Sequence, residues 1–136
     1  MSPMQLTLRW LREHDYTAAI AEKWLPRTFI RQDLFGFIDV MAVNEQHLLA
    51  IQVTDDAHHA EHVRKILLLP VARELSYHMD IELWSWGLKL SGLTRKDGKL
   101  DRRKVMTLRR EPLTARLLPK RSLMRRKIEE GTWDLE

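Results

Sequence analysis

Residues 36–54 read GFIDVMAVNEQHLLAIQVT, and this stretch decides how the rest of the chain is interpreted. Two apolar runs, residues 38–43 and 48–54, flank the polar connection 44–47. Both runs are rich in Val, Ile and Leu and are too short for helices, which is typical of buried strands. A connection of this length is common in hairpins. The stretch therefore predicts a β-hairpin at the centre of the fold.

The register of this hairpin determines which polar side chains meet. If Val43 pairs with Leu48, Asp39 lies directly opposite Gln52. Directly paired residues share a face with β-carbons about 5 Å apart, and Thr54 shares that face because it is two residues from Gln52. A slip by one residue would separate these side chains. The pairing predicts a polar site; the alternative is that each group finds its own hydrogen-bond partner in the interior.

The hairpin and its polar residues resemble the motif of the PD-(D/E)XK nuclease superfamily. The likeness is greatest to the Holliday-junction-resolvase-like and VRR-NUC branches, which include small phage-type proteins. Their motif is G-x-P-D, a strand, a hairpin, and a strand that ends in E-x-K. Gly36 and Asp39 match it, whereas Ile38 stands at the proline, Gln52 at the second acid and Thr54 at the lysine. The resemblance covers roughly the first two thirds of the chain.

This resemblance implies a fold and a metal site. The fold is α/β with a restriction-endonuclease-like core, in which a mixed β-sheet has the order α-β-β-β-α-β, here with an extra C-terminal strand. The site would hold Mg²⁺ or Mn²⁺ through Asp39, Gln52 and the carbonyl of Val53. Asp33 is the nearest carboxylate that could make up for Gln52, although it could equally be a turn residue that bonds its own backbone.

Catalysis, on the same resemblance, would use Asp39, Gln52, Thr54 and Lys65. Gln52 offers a neutral amide oxygen, which binds Mg²⁺ less strongly than a carboxylate does. Thr54 would position water or phosphate, and Lys65 could supply the missing positive charge from a helix. We therefore expect a metal-dependent DNA endonuclease, structure-directed and resolvase-like, that acts as a homodimer. The alternatives are a nuclease-fold DNA-binding module without catalysis and a protein-interaction domain with a basic tail.

The remaining elements follow from periodicity and breaks in the pattern. Apolar spacing predicts helices over residues 5–14, 55–70 and 123–130, and alternation predicts strands at 81–87 and 103–110. Residues 17–24 contain three alanines, which favour a helix, but the resemblance favours an edge strand. In that strand Glu22 would lie near the metal site, whereas in a helix it would be a surface charge. Residues 27–35 are interpreted as a connection into the hairpin.

Charge divides the 136-residue chain into a nuclease-like core, residues 1–93, and a basic extension, residues 94–136, although the net charge is only +4. Residues 1–93 hold nine Lys and Arg against twelve Asp and Glu, whereas residues 94–127 hold fourteen against three. A segment this basic predicts a polyanionic partner, most simply the DNA backbone. The residues expected to contact phosphates are Arg31, His58, His59, Arg64, Lys65, Arg102, Arg103, Lys104, Arg109 and Arg110.

Composition excludes several other classes. The chain has no cysteine, so disulfides and thiolate metal sites are excluded. No apolar run approaches the length of a membrane span and no signal pattern is present, so we expect an intracellular, cytoplasmic protein without a membrane partner. His58 and His62 have the i, i+4 spacing of zinc ligands, but a polar helix surface is the favoured interpretation of that pair.

Overall fold

The computed structural model describes residues 1–25 and 30–118, except for the side chains of residues 23–25, 30 and 31. The predicted helix at residues 123–130 lies outside this part of the chain. The described helices are Pro3–Glu13 (α1), His59–Leu67 (α2), Pro70–Ser76 (α3) and Thr114–Leu117 (α4). The described strands are Thr17–Ile20 (β1), Lys23–Leu25 (β2), Ile30–Gln32 (β3), Val40–Val43 (β4), Leu48–Asp55 (β5), Asp80–Leu90 (β6) and Lys104–Pro112 (β7).

The main sheet has five strands in the order β1-β4-β5-β6-β7. Strands β5 and β6 run parallel, and the other neighbours are antiparallel. Strands β2 and β3 form a separate two-stranded hairpin. The chain is therefore an α/β protein with a mixed sheet, and the expected C-terminal strand is present as β7. None of the described helices has the length and apolar character needed to cross a membrane.

The edge strand predicted over residues 17–24 is wrong in its second half. Strand β1 ends at Ile20, and the last bond it makes to its neighbour runs from the Ala21 N–H to the Asp39 carbonyl, 2.8 Å. The segment that precedes Asp39 turns away from β1. Strand β2, which follows Ala21, therefore pairs with β3 instead. The prediction that residues 27–35 form only a connection is also wrong, because β3 lies within them.

The predicted register of the central hairpin is confirmed. Val43 pairs with Leu48, and the pairing continues without a slip to Val40 opposite Ile51. The Asn44 side chain holds the turn, since its Oδ1 accepts the Gln46 and His47 N–H groups at 2.8 and 2.7 Å. An Asx turn of this kind explains why one register is selected.

The two faces of the sheet carry separate apolar clusters. On the α1 side, Leu11 of the helix packs with Val40, Ile51 and Trp84 of the sheet. The opposite face is covered by α2, α3 and α4, and its cluster contains Phe37, Ile38, Ala50, Val63, Ile66, Ala72, Ile81, Leu83, Leu113 and Leu117. A sheet with both faces covered requires apolar residues at consecutive strand positions, which is why residues 48–51 are continuously apolar.

The predicted helix over residues 55–70 is divided in two. The Asp55 side chain accepts the His58 N–H at 3.0 Å and caps a short 3₁₀ turn at Asp56–His58, after which α2 begins. Helix α2 ends at Leu67, and Pro70 starts α3, the position where its missing N–H costs least. Leu67 and Leu69, on either side of this break, remain packed against the core.

A buried ion pair joins β7 to β6 on the α1 side. Glu82 is buried, and Arg110 donates to both of its carboxylate oxygens at 3.0 and 3.1 Å. The Trp84 indole N–H donates to the same carboxylate at 3.0 Å. The guanidinium carbon of Arg110 also lies 5.1 Å from the ring centroid of Trp10 and 4.7 Å from that of Trp84. Arg110 therefore contributes to the packing of α1 on the sheet.

Replacement of Arg110 tests this role. We expect Arg110→Ala to lower the free energy of unfolding by about 2–4 kcal/mol, because Glu82 would keep a buried charge without its partner. The lower bound allows for solvent screening, since the Arg110 side chain is 35% exposed. Arg109→Ala on the same strand is the matched control and should change stability by less than about 0.5 kcal/mol. Equal losses in urea unfolding of the two variants would contradict this account.

Candidate metal centre

Asp39 occupies the point where the central hairpin opens. Its backbone N–H donates to the Ile51 carbonyl at 2.9 Å, and its carbonyl accepts the Ala21 N–H at 2.8 Å. Its side-chain Oδ2 accepts the Val53 N–H at 2.8 Å. The residue is only 7% exposed. Because bonds from two neighbouring strands hold it, the carboxylate is fixed in place without depending on solvent.

Two further carboxylates lie against Asp39. Carboxylate oxygens of Glu22, Asp33 and Asp39 all lie within 4.8 Å of one another. Glu22 directly precedes β2, and Asp33 directly follows β3. The pairing of β2 with β3 therefore brings both acids together beside Asp39, which directly precedes β4. Within the described residues this is the group of carboxylate and histidine side chains with the spacing of a cation site.

The environment of Asp39 opposes its negative charge. Burial raises the pKa of Asp39 to about 7, against an opposing contribution from the Val53 N–H, which favours the carboxylate. A hydrogen bond with the Asp33 carboxyl and the negative charges of Asp33 and Glu22 raise this pKa further. Near neutral pH the Asp39 carboxyl is therefore partly protonated, and a bound cation would replace that proton.

Gln52 adds an unsatisfied polar group on the same side of the sheet. Ala50 packs under α2 and α3, and Gln52, two residues later, shares that face. Strand β4 begins one residue after Asp39 and places Val40 on the α1 side, so continued alternation would put Asp39 on the face of Gln52. Gln52 is 3% exposed, and its Oε1 has no hydrogen-bond partner among the described residues. A buried amide oxygen without a donor is costly, and an ion or a water would satisfy it.

The donor set fits a hard divalent cation. Three carboxylates and one amide oxygen are the ligands that Mg²⁺, Mn²⁺ and Ca²⁺ prefer, and no thiolate competes. The expected register would place Gln52 opposite Asp39, but the strand pairing ends one step earlier, at Val40, so Gln52 stays a predicted ligand. The structure brings together Asp33, Asp39 and Glu22, all three of which the sequence analysis named as candidates.

The other predicted catalytic groups are less closely tied to this cluster. Thr54 is half-buried and pairs with Ser85 of β6, and the carbonyl of Val53 stays a predicted ligand. Lys65 is exposed on α2. Burial lowers the pKa of His62, and the positive charge of Lys65 lowers it further, so these two side chains are neighbours on the helix. Nothing in the geometry places Lys65 at the acidic cluster.

The adjacent residues His58 and His59 have different environments. His59 is buried, with Nδ1 2.6 Å from Ser85 Oγ and Nε2 3.1 Å from Glu111 Oε2, so neither ring nitrogen is free for a phosphate in this conformation. His58 is exposed, and its Nδ1 lies 2.7 Å from Asp55 Oδ1. This bond raises the pKa of His58.

The predicted phosphate contacts are spread over the surface. Arg64, Arg102, Lys104 and Arg109 are exposed. Arg103 is exposed but forms an ion pair with Asp101 at 2.8 Å. Arg110 points to the α1 side and binds Glu82, as described above, and the side chain of Arg31 lies outside the described residues.

Glu22 is the cluster member that sequence reasoning placed least firmly. Its role depended on whether residues 17–24 form a strand or a helix. Both interpretations missed that pairing with β4 ends at Ala21. The relevant signal was the acid pair Glu22 and Asp33 at either end of the segment that contains β2 and β3.

Comparison with family models, with curated proteins and with solved structures gives no match, so the assignment of function depends on this geometry.

The raised pKa of Asp39 predicts a specific dependence of stability on pH. The folded protein keeps the Asp39 proton up to about pH 7, whereas the unfolded chain loses it near pH 4. The stabilisation from this group is therefore complete below pH 4 and is lost as the pH rises to 7. Relative to wild type in chelator, Asp39→Asn should gain about 2–3 kcal/mol of unfolding free energy between pH 5 and pH 8.

Urea unfolding at both pH values measures this difference. Asp15→Asn, a substitution of the same kind at an exposed position, is the control and should follow wild type at both. The account of Asp39 fails if Asp39→Asn differs from wild type by the same amount at pH 5 and at pH 8.

Proposed function

We propose that this chain is a divalent-metal-dependent DNA endonuclease of PD-(D/E)XK type, structure-directed and resolvase-like. The observation that carries the proposal is the cluster of Glu22, Asp33 and Asp39, together with the buried, unpartnered amide oxygen of Gln52 on β5. Support also comes from the sheet, in which antiparallel β1, β4 and β5 are followed by a helix and the parallel strand β6. That sequence of elements is the one the resemblance implies.

The acidic ligands are distributed differently from the motif. Asp39 stands at the motif's aspartate, but the second acid of β5 is replaced by Gln52. Asp33 and Glu22, brought in by the β2–β3 hairpin, supply the negative charge that β5 lacks. Mg²⁺ or Mn²⁺ held by these groups would polarise the scissile phosphate and lower the pKa of a bound water. With three carboxylates, the site retains enough charge for a divalent ion despite Gln52.

The protein's own groups then have separate roles. Asp39 orients the site, because its Oδ2 is fixed by the Val53 N–H. The Asp39 carboxyl can hold a proton near neutral pH. The Thr54 hydroxyl, on the same face as Gln52, can donate a hydrogen bond to a phosphate oxygen or a water. It cannot supply the charge of the motif's lysine, for which Lys65 remains the proposed source.

Phosphate binding would be largely independent of sequence. The exposed side chains of Arg64, Lys65, Arg102, Lys104 and Arg109 are suited to backbone contacts. His58 could join them as its protonated form, which Asp55 stabilises. A homodimer, as resolvase-like enzymes form to act on two strands, belongs to the same proposal, as does an intracellular location.

A second candidate function is DNA binding without catalysis. Gln52 and Thr54 favour it, because both replace charged residues of the motif by neutral ones. On this alternative the fold and the basic surface are retained while hydrolysis is lost. The protein-interaction alternative requires that the basic residues contact an acidic protein rather than DNA.

Cleavage of labelled four-way-junction, flap, duplex and single-stranded DNA tests the proposal. We expect cutting in Mg²⁺ or Mn²⁺, none in chelator, and a loss of more than about a hundredfold in Asp39→Ala, because a removed metal ligand costs more than the outer-shell changes known to cost 10–100-fold. Glu45→Ala, at an exposed position in the turn between β4 and β5, is the matched control and should cut like wild type. Salt-sensitive binding without cutting in either ion would support the DNA-binding module instead.

One further variant distinguishes a nuclease whose site has lost its charged residues from a protein with a different function. If wild type binds DNA but does not cut it, Gln52→Glu combined with Thr54→Lys restores the motif's charges in the same positions. Cutting by this double variant would show that only the site had changed. Absence of DNA binding at low salt would contradict both DNA-based candidates and favour the protein-interaction domain.

A further inference from the structure

The loop between β3 and β4 is short and firmly held. Leu34 and Ile38 exchange backbone bonds at both ends of it, 3.1 Å from the Leu34 N–H and 3.0 Å from the Ile38 N–H. The Gly36 N–H also donates to the Asp33 carbonyl at 3.0 Å. Phe37 and Ile38 are fully buried in the cluster beneath α2. Residues 34–38, called here the 34–38 loop, therefore have one defined shape.

Phe35, at the tip of this loop, has a backbone conformation and an exposed ring that are both unfavourable for the stability of the protein on its own. Its φ is 54°, in the left-handed region that bulky side chains rarely adopt. Its side chain is also 54% exposed, so the ring is presented largely to solvent. Gly36, which follows with a φ of 82°, suits this conformation, but Phe35 does not. Strained backbone at an exposed aromatic residue is typical of positions kept for binding.

The position of Phe35 relative to the acidic cluster indicates what it binds. It is two residues after Asp33 and four before Asp39, and both of these belong to the cluster. Two residues span at most about 7 Å of chain, so the backbone of Phe35 lies close to that of Asp33. This length is comparable with the distance between a phosphate of DNA and the base of the same nucleotide. Leu34, 40% exposed, extends the apolar surface beside the ring.

We propose that Phe35 is a stacking platform for an unpaired base next to the phosphate held at the acidic cluster. This inference rests on the proposed function and adds the feature of the nucleic acid that is selected. The faces of bases stack on aromatic rings irrespective of sequence. In a continuous duplex those faces are covered by neighbouring bases, so a ring at the site favours bulges, junctions and ends. Phe35 is thus a specificity-determining residue for DNA structure.

Binding of a DNA duplex with one unpaired 2-aminopurine tests the proposal, with a fully paired duplex of the same length beside it. Fluorescence of 2-aminopurine falls when the base stacks on an aromatic ring, so it reports the contact directly. Ca²⁺ replaces Mg²⁺, so that binding is measured without cleavage. The variants are Phe35→Ala, Phe35→Gly and Phe35→Trp, with Leu34→Ala as the matched control in the same loop.

We expect Phe35→Ala to lose affinity for the bulged duplex by roughly tenfold and for the paired duplex by less than about twofold. Quenching should disappear in Phe35→Ala and persist in Phe35→Trp and Leu34→Ala. Phe35→Gly should lose the same affinity as Phe35→Ala while melting at or above the wild-type temperature, because glycine relieves the positive φ. That combination excludes a loss caused by unfolding.

Two results would overturn the proposal, and they are distinguishable. If wild type binds the bulged duplex and Phe35→Ala binds and quenches equally well, the stacking role is wrong while the nuclease proposal stands. If wild type binds neither duplex at low salt, the stacking role fails together with the proposed function.

Discussion

The bond from the Val53 N–H to the Asp39 carboxylate joins the two central strands at the point where the sheet opens. Pairing of β4 with β5 ends at Val40, so this side-chain bond replaces the next rung of the ladder. The bond requires the hairpin register that the Asn44 turn selects. This one turn therefore determines the position of Asp39 and of the end of the 34–38 loop, which directly precedes it.

The candidate site is assembled at a cost in stability. Three carboxylates share a small volume, the pKa of Asp39 is raised to about 7, and Gln52 Oε1 is buried without a partner in the described residues. Phe35 adds backbone strain beside them. Outside the cluster, Glu82 is satisfied by its two donors, whereas Asp56 Oδ1 and His62 Nδ1 are also buried without a partner in the described residues. The cluster differs from these positions because it combines a raised pKa with carboxylates that repel one another, which is typical of a functional site.

Sequence reasoning succeeded where the decisive interactions are local. The hairpin register follows from two apolar runs and a turn, and the pairing of Val43 with Leu48 is as predicted. The pairing ends at Val40, so the placement of Asp39 on one face with Gln52 and Thr54 stays a prediction. Sequence reasoning failed for the β2–β3 hairpin, because each strand has only three residues and its partner is recognised only in three dimensions. Alternation along β7 shows that Arg109 and Arg110 face opposite sides, but not that Arg110 meets a buried carboxylate. The burial of His59 likewise depends on β6 and β7, distant in sequence.

The most direct test of the central claim is the anomalous diffraction of crystals soaked in Mn²⁺. The account predicts one strong peak at the point where β4 begins, about 2.1 Å from oxygens of Asp39 and Asp33. Glu22 and the Gln52 amide oxygen should lie close by. The peak should be absent from crystals of Asp39→Asn. A wild-type crystal with millimolar Mn²⁺ and no peak at this cluster would contradict the claim that these residues form a metal centre.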